Sequence, residues 1–465
     1  MNPRAERGRP VKGWIKSALG AAVLCLGLSG CSFAGFSTQN LMSPPKVNAD
    51  QQSIYKVLQG AQQDVTFIYP RSGQYRSAII MEDFTGDGVE DAIGFHLLED
   101  NGTNGVEVQF LTKNGGEWAA VSAFTNNATQ VDRVCFGSLK GGGKSVLIGW
   151  GSTAGDTGRT ATVNAYLFED GEMREYTLGR YGEMTLTDFD GDGASEVFTI
   201  DKYLPAPEEG AEASPARARV YAFNQGKPEE MASAPADNAI ASYSSMIFGQ
   251  LTEGQQGVVV DGATADGSMT TQIFVMEEDR LRNYPAGVNT ENYLNPYARP
   301  SAAAFTSRDI NGDGMLEMPA VTRLPGLPED AVPDTTSYLV EWDAFREGGH
   351  RRTVLYAMMN VRENYWFQVP YRFRRELSAS NDPARRTVTY TQLIGAQDGT
   401  PLLGTALFTI RVFSQSAWES RGEGSGYEML CSQNDSVYGI QVLTKDEFLL
   451  RCIDQVKESF QMITV

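Results

Sequence analysis

From Ser77 to Tyr356 the chain is a succession of short apolar runs separated by Gly, Asn and Asp turns. Runs such as Val106–Leu111, Ala161–Phe168, Ala218–Phe223, Gln272–Met276 and Ser337–Trp342 have the length and the β-branched and aromatic content of strands. No long stretch of helical periodicity interrupts them, so this part predicts multi-stranded antiparallel sheets. Ahead of it, Ile54, Val57 and Leu58 mark a short amphipathic segment, followed by the strand-like Val65–Tyr69 and Pro70. That lead-in is expected to supply an outer strand. Beyond about Ala357 the pattern changes. Trp366–Val369, Thr387–Thr391, Leu407–Phe413 and Val437–Val442 read as strands. Thr444 and Glu447 have capping-box spacing, and Phe448, Cys452, Val456 and Phe460 then recur on one face, which predicts a C-terminal helix.

Three loops between apolar runs are acidic: Asp83 to Asp91, Asp188 to Glu196 and Asp309 to Glu317. Each carries oxygen-bearing side chains at positions 1, 3, 5 and 9 and a Gly at position 6. That spacing suits Ca²⁺, a hard cation that gathers six to eight oxygen ligands in a tightly turned loop. The candidate ligands are Asp83, Thr85, Asp87 and Asp91 with the Val89 carbonyl; Asp188, Asp190, Asp192 and Glu196 with the Ala194 carbonyl; and Asp309, Asn311, Asp313 and Glu317 with the Met315 carbonyl. Thr85, a hydroxyl where the others have Asp or Asn, makes the first set the weakest. An EF-hand would need Glu at position 12, where Gly94, Thr199 and Ala320 stand. The expected role of the ion is structural, relieving repulsion among clustered carboxylates.

The loops start 105 and 121 residues apart, twice the length of a propeller blade. Degenerate copies lie between them. Val134 to Lys144 is followed by the apolar Val146–Trp150, and Met246 to Gly254 by Val258–Val260. Setting position 1 at residues 83, 138, 188, 250 and 309 gives spacings of 55, 50, 62 and 59. The D-x-(D/N)-x-D-G-x-x-(D/E) loops, with Phe-Gly at 136–137 and 248–249, resemble those of bacterial lipoproteins with FG-GAP/VCBS-type repeats, the integrin-like calcium-binding blades. The resemblance covers about residues 75–345 and implies a mainly β fold: a β-propeller of five readable blades, with room in the flanks for a sixth. The expected organisation is a signal peptide over 1–30, a tether over 31–50, the propeller over 51–356 and a small α+β domain over 357–465.

The N-terminus supports a lipoprotein. Arg4, Arg7, Arg9, Lys12 and Lys16 precede the apolar run Ala18–Leu28, a signal-peptide pattern too short for an ordinary spanning helix. Leu28-Ser29-Gly30-Cys31 resembles a lipobox, which implies cleavage before Cys31, diacylation of its thiol and an extracytoplasmic protein held to a bacterial membrane. Paired acyl chains anchor stably where one binds only marginally. Losing residues 1–30 moves the formal charge from −19 to −23. So acidic a surface argues against nucleic acid and anionic lipid surfaces as partners. Cys135, Cys431 and Cys452 remain in the mature chain, too few for a disulfide scaffold; Cys431 and Cys452 either pair or stay as buried thiols.

Catalytic signatures are sparse. His96 and His350 are the only histidines, and neither a G-x-S-x-G elbow nor an H-E-x-x-H helix occurs. Gly141-Gly-Gly-Lys144-Ser145 lacks the first Gly of a phosphate loop, having Ser138 there, and a strand-like run follows, so no nucleotide partner is expected. Lys144 falls on the metal-loop position of its repeat, where its charge replaces a cation. Tyr284, Tyr293 and Tyr297 with Asn283, Asn292 and Asn295 read as a turn between blades, with stacking on a sugar or peptide as the rival reading. The preferred function is a non-enzymatic binding or scaffold module with a protein or glycan partner. The alternatives are a surface hydrolase acting on polysaccharide or peptide and an envelope assembly factor.

Overall fold

The structure, a computed structural model, describes residues 49–60, 65–100, 103–139, 144–151, 161–206, 208, 210–224, 227–324, 337–374, 376–395, 401–421 and 423–463. The expected signal peptide, Cys31, most of the expected tether, Gly141–Gly143 and the Pro-rich stretch after Leu324 lie outside the described residues. The first described segment is helix α1 (Ala49–Gln59), so the last two residues of the expected tether are helical.

Among the described residues the chain is mainly β, in six antiparallel sheets. In chain order, the first holds β1 (Ile79–Glu82), β2 (Asp91–Asp100), β3 (Thr103–Asn114) and β4 (Glu117–Asn126). The second holds β5 (Gln130–Gly137), β6 (Ser145–Gly151), β7 (Thr162–Glu169) and β8 (Glu172–Arg180). The third holds β9 (Glu183–Thr187), β10 (Glu196–Ile200), β11 (Arg217–Asn224) and β12 (Lys227–Pro235). The fourth holds β13 (Ile240–Thr252), β14 (Gln255–Thr264), β15 (Met269–Glu277) and β16 (Arg280–Tyr284). All four are simple meanders in which neighbours in sequence are neighbours in the sheet. Their second strands explain the apolar runs: β6 and β10 are buried at every residue, as strands covered on both faces must be.

The fifth sheet holds β17 (Glu317–Arg323), β18 (Ser337–Arg346), β19 (His350–Asn360) and β20 (Tyr365–Gln368), and is extended by the last strand of the chain, β26 (Gln461–Met462). The boundary expected at 356/357 therefore falls inside β19, and Trp366–Val369 belongs with the fifth sheet. An isolated bridge from Arg308 to Glu317 takes the place of a first strand. The sixth sheet, in order β21 (Leu377–Asp382), β22 (Thr387–Gly395), β23 (Pro401–Ser414), β25 (Ser436–Val442), β24 (Tyr427–Gln433), leaves the meander pattern. Helix α2 (Gln415–Glu419) follows β23, and helix α3 (Glu447–Glu458) packs Cys452, Ile453 and Val456 into a core shared by the last two sheets.

Three local expectations are corrected. The cap of α3 is Asp446, whose carboxylate accepts from the Phe448 and Leu449 amides at 2.9 and 3.0 Å, while Thr444 Oγ1 accepts from the Asp446 amide. Starting the helix there turns Phe448 outward, 58% exposed, and Ile453 inward. The lead-in is not an outer strand. Its Ile68 amide donates to Phe95 and its Thr66 carbonyl accepts from Leu97, which extends the first-strand edge of β2; the Arg71 and Ser72 amides then donate to Val131 and Asp132 of β5.

Consecutive sheets touch in chain order, β4 against β8, β8 against β12, β12 against β16 and β13 against β18. Position 2 of every repeat, the residue after the loop's first, is apolar: Phe84, Leu139, Phe189, Leu251 and Ile310. Phe84, Leu139 and Leu251 are at most 1% exposed. Each packs toward the following sheet, as Leu139 does with Met184 and Val197, and Leu251 with Leu316 and Met318. Burying one such side chain stabilises by about 1.5–3 kcal/mol. The repeat is thus a device for joining one sheet to the next.

Candidate metal centres

Every acidic loop leads into the second strand of a meander or its equivalent: the first joins β1 to β2, the second β9 to β10, and the third enters β17 after the Arg308 bridge. Tight turning is made possible by paired glycines with positive φ, Gly191 (72°) and Gly193 (84°) in the second loop, conformations that L side chains resist. Position 9 is the first residue of the following strand and is buried each time: Asp91, Glu196 and Glu317 are 1%, 5% and 0% exposed. Position 5 of every loop and position 3 of the second and third are exposed, while Thr85 is half-buried. Each loop is therefore a cup with one buried carboxylate at its base.

A further bond fixes the second and third cups. The position-8 amide of the second loop, Ser195, donates to the Ser138 carbonyl at 2.8 Å, and that of the third, Leu316, to the Gln250 carbonyl at 2.9 Å. Ser138 and Gln250 are position 1 of the two copies without carboxylates. Each of these two acidic loops is thereby tied to the preceding repeat, a link that residue spacing alone does not reveal.

The second loop gathers its acids most closely. One carboxylate oxygen from each of Asp188, Asp190 and Asp192 lies within 4.8 Å of the others, and Asp188 Oδ1 is buried with no hydrogen-bond partner. A desolvated, unpartnered carboxylate oxygen is costly unless a cation meets it. Glu196 takes the Phe189 amide on Oε2 at 2.8 Å. Its carboxyl is pushed above the usual range by burial first and by Asp190, Asp188 and Asp192 next, against the pull of that amide. The donor set is all oxygen, as calcium requires, so the residues present fit the ion.

In the third loop Asp309 is largely used by the backbone, accepting from Gly312, Asp313 and Gly314 amides at 2.7–3.2 Å. The Asn311 amide nitrogen donates to Asp313 Oδ2 at 3.0 Å and to Glu317 Oε1 at 3.3 Å. A donor thus stands where a cation would draw the same two carboxylates. Burial raises the Glu317 carboxyl to about 7; Asp313 and Asp309 add to this, and the Ile310 amide opposes it. In the first loop Asp83 accepts from Gly86 and Gly88, Asp91 Oδ2 accepts from the Thr85 amide, and Thr85 Oγ1 donates to Asp83 Oδ1 at 3.4 Å. The Val89 side chain is exposed and its amide donates to Asp87. Burial raises the Asp91 carboxyl, with Asp87 and Asp83 contributing less. Lys144 bonds Glu82 on the strand just before this loop, so its ammonium offsets the acidity of the first sheet, not that of its own repeat.

No protein-family model matches the chain, and no curated protein does. Among solved structures it is similar to an exotype rhamnogalacturonan lyase at 12% identity, over 81% of this chain and 89% of that one, with a TM-score of 0.27. A rhamnogalacturonan lyase of Bacillus licheniformis aligns at 11% identity over 82% and 90%, with a TM-score of 0.30. A hypothetical selenium-binding protein from Sulfolobus tokodaii aligns at 8% over 67% and 74%, with a TM-score of 0.25. Likeness this weak transfers neither topology nor activity.

The other candidates find ordinary places. Tyr297 is buried, and Asn295 Nδ2 donates to Tyr293 Oη and to the Thr271 carbonyl, so the aromatic loop after β16 is a packed, hydrogen-bonded turn. β6 begins at Ser145, so a strand and not a helix follows the Gly-rich loop. His96 is buried in β2, where burial lowers its imidazole pKa against the pull of Glu107, while His350 opens β19. Cys135, Cys431 and Cys452 are free thiols, and Cys431 Sγ approaches Met462 Sδ at 3.7 Å. Among the described residues no helix is long and apolar enough to cross a membrane.

Proposed function

We propose that this chain is a lipid-anchored, extracytoplasmic binding or scaffold protein of the FG-GAP/VCBS type. In this reading the first five sheets are blades of a β-propeller stiffened by Ca²⁺, and Cys31 carries the anchor. The observation that carries it is the second loop: three converging carboxylates, one with a buried oxygen that has no partner. The meander order of the first four sheets, their contacts in chain order and the repeated position-8 tie support the propeller. Bound calcium would be held by Asp188, Asp190, Asp192 and Glu196, and by the corresponding residues of the third loop. It would supply the positive charge that these clustered acids lack.

Thermal unfolding with excess Ca²⁺ and with EDTA tests this. At an extracellular-type affinity of about 10⁻⁴–10⁻³ M, 10 mM Ca²⁺ stabilises each filled loop by about 1.4–2.7 kcal/mol. Superimposable melting curves would refute structural calcium. Anchoring is checked separately, by mass spectrometry of the mature N-terminus and by loss of membrane association in Cys31→Ala.

A further inference from the structure

In the second sheet, β7 carries a polar residue that its apolar run does not explain. Asn164 is 4% exposed, and its Nδ2 donates to Glu175 Oε1 of β8 at 2.8 Å. This fixes which way the carboxamide faces, because the opposite setting would press its oxygen against a carboxylate. Asn164 Oδ1 is then left buried without a hydrogen-bond partner. It borders a cavity of about 440 Å³ that is also walled by Asn126, Trp150, Thr162, Glu175 and Thr177. The volume falls within the range of small-molecule sites, about 300–1,000 Å³.

The wall selects a ligand chemistry. It is built of carboxamides, hydroxyls, one indole and a single carboxylate, with no Lys or Arg among the lining residues. An anion would meet Glu175 with nothing to balance it. A cation would find that carboxylate already taking Asn164 Nδ2 and the Tyr166 hydroxyl, at 2.8 and 2.7 Å, on Oε1. An apolar ligand would seal Asn164 Oδ1 away from any donor, at the full desolvation cost of that oxygen. A neutral hydroxyl group answers all three conditions: it donates to Asn164 Oδ1, which Glu175 holds in place, and accepts from threonine hydroxyls and the Asn126 amide.

We propose that this cavity is a binding site for a neutral sugar unit, with Asn164 and Glu175 as the orienting pair. This names a ligand class for the binding-protein reading and does not depend on the calcium loops.

The full chain is titrated by calorimetry with neutral hexoses, deoxyhexoses and their short oligomers, in Ca²⁺ and again in EDTA. Uronic acids and an alkylamine serve as charged controls. A neutral sugar should bind, and Asn164→Ala should weaken it about tenfold, the worth of one well-placed hydrogen bond. Glu175→Gln is the second variant, because Glu175 is exposed and glutamine keeps a carbonyl oxygen for Asn164 and the Tyr166 hydroxyl. It should weaken the same sugar while leaving the melting curve unchanged. Failure of every neutral sugar with folded protein, preference for a uronate or the amine, or indifference of binding to both variants would each overturn the site. A crystal structure of the sugar-soaked protein showing only water in the cavity would do the same. Loss of a calcium effect on melting, with sugar binding intact, would count against the metal reading alone.

Discussion

Glu317 offers a direct test of how the third loop handles its charge. In metal-free protein its carboxyl titrates near 7, against 4.5 for the unperturbed group, chiefly because it is buried. A folded-state pKa above the unfolded one means that the native state holds the proton more tightly. Its contribution to stability is present below 4.5 and lost as pH rises through about 7. Between pH 5 and 8 the linkage amounts to about 2.5 kcal/mol. Asp309 and Asp313 are exposed and screened by water, so burial supplies most of this figure. Urea unfolding in EDTA at pH 5, 6, 7 and 8 should show the midpoint falling with pH. Glu317→Gln, uncharged throughout, should flatten that slope. Calcium should reverse it, because ligation requires the ionised carboxylate and its effect grows with pH. Equal slopes for wild type and Glu317→Gln in EDTA would refute the assignment of a proton to this buried position.

Asp190→Asn should reduce the calcium-dependent gain in melting temperature by about half while leaving the share of the third loop, and in EDTA it should raise stability by a few tenths of a kcal/mol by easing like-charge repulsion. Arg299 and Asp261 form an ion pair at 2.8 Å with both side chains 0% exposed, and Asp261 also accepts from the Ser307 amide. Arg299→Leu strands that carboxylate and should cost about 3–5 kcal/mol in urea unfolding, partly recovered by adding Asp261→Asn.

The sheets were largely visible in the sequence because their signals are local. Apolar runs bounded by Gly and Asn become strands wherever a neighbour covers both faces, and the fully buried β6 and β10 are the clearest cases. The loops were legible for the same reason, since oxygen donors and glycines repeat at fixed offsets. What stayed hidden was non-local. The position-8 tie joins residues 57 and 66 apart, Ser138 to Ser195 and Gln250 to Leu316, and no pattern within one repeat encodes it. The role of Asn164 depends on Glu175 across a strand pair, although a lone Asn inside the run Ala161–Phe168 was a readable hint. The cap of α3 was misplaced because Thr444 and Asp446 are both good caps, and the backbone geometry that decides between them is tertiary.

The C-terminal strand has a consequence for the order of assembly. Sheets one to four are each finished by residues close in sequence, so each is complete soon after its fourth strand leaves the ribosome. The fifth is different: β26 pairs Tyr365 with Met462 and Trp366 with Gln461, and the Ile463 amide donates to Asn364. Its outer edge stays open until β26, which follows the whole sixth sheet in sequence, has been made. Loss of β26 would leave that edge, with its unpaired backbone groups, facing any other strand nearby. β26 therefore makes the fifth sheet depend on residues that lie beyond the whole of the sixth, so a variant without β26 should be more prone to aggregation and proteolysis than the intact sheet.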